Sequence, residues 1–298
     1  MKNIHKGLLS QLRLLVLVLV LLAALAAYYY HVENAVHVEN VQFNSKLLGR
    51  AMPYSVVLPR GYGLITSRRV RYPVLYLLHG WSQHYNSWLQ ETTLRQYASE
   101  YQLIIVTPEG DNGWYTDNAG GSADQYETYV LHELIPDVES RYRTIQDRRG
   151  RAIAGNSMGG YGALKFGFKH PEIFTLAASM SGALDASART DEASLMLIFG
   201  APNSPTRVAN DLPRLAREFP AERAPLLPYF YLDCGAEDPW LAANRDLVNI
   251  LLERKIVHEY RQVPGGHIWA YWDRQVREVL RIAVERMVEP ESLSLIHI

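Results

Sequence analysis

The segment Ala152-Ile153-Ala154-Gly155-Asn156-Ser157-Met158-Gly159-Gly160-Tyr161-Gly162 reads G-x-S-x-G, with a short apolar run before the serine and small residues after it. That is the pattern of a sharp strand-to-helix turn that presents a serine hydroxyl, and the chemistry it offers is acyl transfer through a serine nucleophile. A glycine-rich turn with a solvated serine has the same spelling, so other residues must decide. A serine hydroxyl is a weak nucleophile at neutral pH; it needs a general base, and the base needs an orienting acid. Among ten histidines, His267 follows the turn Val263-Pro264-Gly265-Gly266 and precedes the terminal helix, where a loop can hold an imidazole over the serine. His5, His132 and His170 have ordinary explanations in an N-terminal apolar segment, on a helix and at a helix end.

The acid is expected on a loop after a strand, between serine and histidine in chain order. Asp238, in Cys234-Gly235-Ala236-Glu237-Asp238-Pro239, meets that requirement. Asp233 falls inside the predicted strand and Asp246 inside the following helix, whereas Glu237 is adjacent and spacing alone does not dismiss it. Asp111 and Asp117 precede the serine and are read as loop-ordering or substrate-contacting groups. An oxyanion hole needs two backbone N–H groups aimed at the developing charge. Met158, at the head of the new helix, is one expected donor, and Trp81, in the turn after the strand ending at Leu78, is the other. Trp114, Tyr115, Trp240 and Trp269 sit in the same set of loops and are expected to line an acyl, cinnamoyl or sugar pocket; the competing role is packing beneath those loops.

These loops need a scaffold. From residue 52 onward, short apolar runs at 54–58, 73–78, 103–107, 151–154, 176–180, 229–234 and 258–263 alternate with helix-like stretches at 86–101, 125–141, 158–170, 240–254 and 268–288. This alternation predicts an α/β fold with a mainly parallel central sheet and helices on both faces. Residues 181–228 hold Pro202, Pro205, Pro213, Pro220 and Pro225 among two short helical patches, closed by Pro228, and are expected to form a small irregular cap. Residues 31–42 read as a linker or first strand, 43–290 as one domain, and 291–298 as a tail without evident role.

Lys+Arg 30 against Asp+Glu 31 gives a formal charge of -1, which argues against nucleic acid as a partner. Cys234 is the only cysteine, so no intramolecular disulfide forms, and no Cys/His spacing suggests a zinc site. Neither metal nor organic cofactor is expected. The run Arg141, Arg143, Arg148, Arg149 and Arg151 reads first as a solvated face and second as an attraction to anionic lipid. Lys2, Lys6 and Arg13 precede an uncharged run from Leu14 to Ala27 closed by Tyr28, Tyr29 and Tyr30. Residues 1–30 therefore read as a cleaved signal peptide or an uncleaved membrane anchor, and either one places the remainder outside the cytoplasm, in the periplasm or beyond.

Leu77-Leu78-His79-Gly80-Trp81, Tyr115-Thr116-Asp117, Gly155-Asn156-Ser157-Met158-Gly159-Gly160, Asp233-Cys234-Gly235-Ala236-Glu237-Asp238 and Gly265-Gly266-His267-Ile268-Trp269 together resemble the putative-esterase (esterase D-like) family of α/β-hydrolases. That family includes tributyrin esterases, feruloyl esterases, S-formylglutathione hydrolases and antigen 85 mycolyltransferases. The resemblance spans residues 43–288. It implies Ser157 as nucleophile, Asp238 as acid, His267 as base, and Trp81 and Met158 as oxyanion donors. The export segment and the lack of a cysteine near Ser157 depart from the cytosolic formylglutathione enzymes. The expectation is a serine-dependent carboxylic ester hydrolase acting on a small-molecule or polysaccharide-linked ester. The rivals are an acyltransferase passing the acyl group to a sugar or lipid hydroxyl, and a non-catalytic envelope or sugar-binding protein.

Overall fold

The computed structural model describes residues 2–33, 35–120 and 124–292. Eight strands form one sheet: β1 (His37–Val41), β2 (Tyr54–Leu58), β3 (Val74–Leu78), β4 (Ile104–Pro108), β5 (Arg151–Asn156), β6 (Leu176–Met180), β7 (Tyr229–Gly235) and β8 (His258–Val263). Their spatial order is β1-β2-β4-β3-β5-β6-β7-β8. β2 is antiparallel to both of its neighbours, and every other pairing is parallel. β1 occupies the segment read as a linker or first strand, so the sheet begins at His37.

β2, β3, β4 and β6 are buried along their whole length, as strands covered on both faces must be. Alternate side chains feed two cores. On one face, Tyr54, Val56, Val74, Tyr76 and Ile153 pack with helices α2 (Met158–Lys169) and α3 (Leu241–Glu253), and with the helical segments Tyr126–Tyr129, Val130–Leu134 and Ile135–Arg141. On the other, Val57, Leu75, Leu77, Ala152 and Ala154 pack with α4 (Trp269–Arg286) and with Trp88 and Leu94.

The helix expected at 86–101 is two short ones, Ser87–Glu91 and Leu94–Ala98. Thr92 takes an extended conformation and turns its hydroxyl back to the Trp88 carbonyl, while Asp273 on α4 accepts from the Thr93 amide at 2.7 Å. Side-chain bonds of this kind compete with the helix ladder. Between Gly182 and Pro228 the chain forms five short helical pieces where two were expected. The segment Glu291–Ser292 pairs with Val70–Arg71, and the remainder of the expected tail lies outside the described residues. An N-terminal helix α1 (Lys2–Glu33) contains a stretch, Gln11–His31, long and apolar enough to cross a membrane.

The crossing of β5 and α2 is the tightest place in this scaffold. A Cβ on Gly155 would lie 2.5 Å from the Gly159 carbonyl carbon and 2.8 Å from the Leu78 carbonyl oxygen; one on Gly159 would lie 2.6 Å from the same oxygen. Backbone cannot yield as a flexible side chain can, so Gly155→Ala is expected to lower unfolding free energy by about 1–3 kcal/mol or more. A shift of the urea midpoint at unchanged slope checks this.

Candidate active site

Ser157 sits between the end of β5 and the start of α2 with φ 52 and ψ -116, a region that L residues rarely adopt. Three backbone bonds fix it there. Its amide donates to the Met180 carbonyl at 3.0 Å, and its carbonyl accepts from Tyr161 at 3.0 Å and Ala183 at 3.1 Å. The hydroxyl emerges at the carboxyl edge of the sheet, where His267 Nε2 lies 2.9 Å from Ser157 Oγ. His267 Nδ1 lies 2.9 Å from Asp238 Oδ2.

Asp238 is fully covered, and its other oxygen accepts from the Trp240 amide at 2.9 Å. Burial works against its charge, but the hydrogen bonds from His267 and the Trp240 amide outweigh burial and hold the carboxyl below its ordinary range. The other acids do different work. Glu237 accepts from the Gly265 amide, and its own amide donates to the Gly265 carbonyl at 3.0 Å, so it clips the histidine loop from outside. Asp233 is buried beneath, bonded to Tyr271 Oη at 2.7 Å, and burial raises its pKa to about 7. Asp246 lies on α3.

In the turn after β3, the Gly80 amide donates to Gln83 Oε1 and the Ser82 amide to Asn112 Oδ1, both at 2.7 Å. Among the described residues the Trp81 amide between them has no such partner. Met158 is the first residue of α2, where N–H groups lack intrahelical acceptors. His79 and Glu109 brace the turn from behind. His79 Nδ1 meets the Gly80 carbonyl at 2.7 Å, Nε2 lies 3.2 Å from Glu109 Oε1, and Glu109 also accepts from the amides of Tyr85 and Asp111. Burial would raise the Glu109 pKa, yet His79 and these amides outweigh it and bring it down to about 2.

A cavity of about 430 Å³ opens above Ser157 and His267, walled by Trp81, Trp114, Trp240 and Trp272, with Gln83, Ser194 and Leu195. Arg189 and Glu192 from the cap complete it, 2.6 Å apart, with the Arg189 guanidinium 4.3 Å from the centroid of the Trp240 ring. Two expected wall residues are elsewhere. Tyr115 is fully buried under the floor, its hydroxyl within 3.0 Å of the His79 amide. Trp114 and Tyr115 have consecutive positive φ values of 54 and 50, which turn the first ring toward the cavity and the second into the core. Trp269 packs edge-on between Trp88 and Trp272, and Trp272, one helical turn on, takes the place at the cavity.

Sequence reasoning also missed what holds this loop. Lys165 is wholly buried on α2; its ammonium donates to the Tyr115 carbonyl, to Thr116 Oγ1 at 2.9 Å and to Glu127 Oε2 at 2.8 Å. Burial lowers its pKa to about 8 despite the opposing pull of Glu127. A lysine inside an otherwise apolar helix, Tyr161-Gly162-Ala163-Leu164-Lys165-Phe166, was the available signal. In the cap, buried Arg207 donates to the carbonyls of Ser187, Arg189 and Gly200, tying the segment that carries Arg189 and Leu195.

A hydroxyl, an imidazole and a buried carboxylate in series on an α/β-hydrolase sheet define a serine hydrolase. Comparison with known proteins specifies it further: the family described as "Putative esterase" matches residues 45–281, and the chain belongs to it. An acetyl esterase of Caldicellulosiruptor saccharolyticus is 30% identical over 68% of this chain and 79% of its own length. An esterase of Mycobacterium tuberculosis is 33% identical over 80% of this chain, which spans 57% of that relative. A diacylglycerol acyltransferase/mycolyltransferase of Mycobacterium leprae is 26% identical over 68% of this chain and 73% of that relative. Among solved structures, a ferulic acid esterase superposes with a TM-score of 0.76 at 27% identity, covering 85% of this chain and all of that one. A fluorophosphonate-binding serine hydrolase of Staphylococcus aureus gives 0.75 at 25% identity, covering 84% and 99%. The protein is an esterase of the serine hydrolase class.

Glu109 links this site to acid stability. Its folded pKa of about 2 lies below the ordinary 4.5, so its stabilising contribution is complete above pH 4.5 and is lost as pH falls from there toward 2. Glu109→Gln is expected to lower the denaturant midpoint at neutral pH and to flatten its decline through this window, measured by urea titrations at stepped pH.

Proposed function

We propose that the protein hydrolyses carboxylic esters through an acyl-enzyme on Ser157. The observation that carries this reading is the series Ser157 Oγ, His267 and Asp238, each link 2.9 Å, opening into an aromatic cavity. Neutral His267 accepts the Ser157 proton as Oγ attacks the ester carbonyl carbon. The carbonyl oxygen takes the negative charge and is met by the amides of Trp81 and Met158. Collapse expels the alcohol, to which His267 returns its proton, leaving Ser157 acylated. Water then attacks the acyl carbon with His267 as base again, and the acid leaves. Asp238 holds the imidazole with Nε2 toward the serine and stabilises the imidazolium in both halves.

Four indole faces around about 430 Å³ suit an aromatic or short acyl group on a bulkier alcohol, and the acetyl and ferulic acid esterases among the relatives support that substrate class. A second reading, transfer of the acyl group to a sugar or lipid hydroxyl, is favoured by the mycolyltransferase relative. Free acid as the only product in the presence of trehalose or glycerol would exclude transfer to those acceptors. We read α1 as an export segment retained as a membrane anchor, on the strength of the 21-residue span Gln11–His31 with mean hydropathy 2.4.

Ser157→Ala is expected to reduce kcat on p-nitrophenyl butyrate by about 10⁴-fold or more, and a variant that keeps the wild-type rate would falsify the mechanism. Trp114→Ala is expected to reduce kcat/KM for methyl ferulate about tenfold more than for p-nitrophenyl acetate, because an aromatic contact is worth about 0.5–1.5 kcal/mol beyond its buried area. Since the Asp238 carboxyl is held below its ordinary range, it stays ionised across about pH 5–8 and keeps its bond to His267 there.

A further inference from the structure

The sheet register places the anchor and the catalytic cavity at opposite edges of the domain. His37, the first residue of β1, pairs with Leu58 at the end of β2, and the rows continue through Ile104 and Val74 to Arg151, the first residue of β5. Ser157 lies six residues further along, about 20 Å away at roughly 3.3 Å per residue. Between Glu33, the end of α1, and His37 there are four Cα steps, a reach of at most about 14 Å.

Charge follows the same axis. The loop joining β2 to β3, residues 59–73, lies at the His37 edge and carries Arg60, Arg68, Arg69 and Arg71 with no acidic residue. Arg60, Arg68 and Arg69 are exposed and have no carboxylate partner among the described residues. Arg148 and Arg149 precede β5 at the same edge, against Asp147. Exposed apolar side chains share this edge: Ile65 in the same loop, Leu226 before β7 and Val257 before β8. The opposite edge is acidic. Residues 109–124, after β4, hold Glu109, Asp111, Asp117 and Asp124 without a lysine or arginine, and Asp185, Asp191 and Glu192 follow β6 with Arg189 paired to Asp185 and Glu192. Arg50, a surface cation beside that loop, is already paired with Asp111 and Asp124, and buried Lys165 beneath it is paired with Glu127.

We propose that the amino edge of the sheet, led by the arginines of residues 59–73, seats on the anionic face of the bilayer that α1 enters, and that the cavity opens away from that bilayer. The proposal rests on reading α1 as a retained anchor and the Ser157 cavity as the ester site. The basic edge gains from anionic headgroups while the acidic rim is repelled by them. Turning the cavity toward the lipid would lift the attachment point at His37 beyond the reach of residues 34–36. The substrate is therefore an ester that arrives from the aqueous or wall side, and an acyl lipid lying in the anchoring bilayer is not one.

Full-length protein carrying a single donor fluorophore, on Thr66→Cys at the basic edge or Leu197→Cys on the cap, tests this in vesicles of equal parts phosphatidylglycerol and phosphatidylcholine with a headgroup acceptor. Buried Cys234 does not compete for label in the folded protein. Energy transfer is expected to be at least about twofold stronger from position 66 than from 197, given a height difference on the order of the sheet's 20 Å. The difference should shrink in Arg60→Glu/Arg68→Glu. Equal or stronger transfer from position 197 overturns the orientation, and so does failure of the full-length protein to sediment with the vesicles. Hydrolysis of p-nitrophenyl butyrate is measured on the same vesicles: if it is absent while the transfer pattern holds, the esterase reading fails and the orientation stands.

Discussion

The strained backbone at Ser157 is the constraint on which the rest depends. Holding an L residue at φ 52 and ψ -116 costs on the order of 1–3 kcal/mol, and such a geometry persists only when its surroundings over-determine it. Here both peptide groups of the residue are bonded, to β6 and its following turn on one side and to α2 on the other. The approach that permits those bonds requires bare α-carbons at Gly155 and Gly159 against the carbonyls of Leu78 and His79. The same contact brings the turn after β3, with the Trp81 amide, beside the head of α2. One close crossing thus positions both the serine and the amides proposed to face its carbonyl substrate.

A second layer of support is ionic and lies below the floor. Lys165 and Glu127 are buried together, and a buried charge pair of this kind returns little net stability. Its value is in geometry. The ammonium bonds to the Tyr115 carbonyl and the Thr116 hydroxyl, fixing two successive left-handed residues that no glycine relieves. Trp114 then faces the cavity because Tyr115 cannot, its hydroxyl being engaged with the backbone of His79.

These two layers explain what was legible in the sequence. Gly155, Ser157 and Gly159 announce their turn because the steric demand is local and only small residues meet it. The loop holding His267 is equally local, since Pro264, Gly265 and Gly266 bound a turn between strand and helix. The sheet and its covering helices follow from the alternation of apolar runs. Tyr115 and Trp269 were misplaced because side-chain direction there is set by distant groups, the ammonium of Lys165 in one case and the phase of α4 against Trp88 in the other. The cap resisted reading for the same reason: its short helices are tied by the Arg207 guanidinium to carbonyls scattered from Ser187 to Gly200, a pattern with no periodicity.

The Glu237 clip gives the site a particular kind of modularity. Gly235 approaches the Gly265 carbonyl so closely that a Cβ would lie 2.1 Å from its oxygen, and Glu237 bonds Gly265 through both its amide and its carboxylate. The turn carrying Asp238 and the turn carrying His267 are therefore one mechanical piece, though nearly thirty residues of chain separate them. Recombination between relatives that cuts the chain within α3 would join the Asp238 turn of one parent to the His267 turn of the other. Such chimaeras would inherit every side chain of the proposed triad and still lose the register between them, so productive exchange in this fold must carry residues 235–267 across as a block.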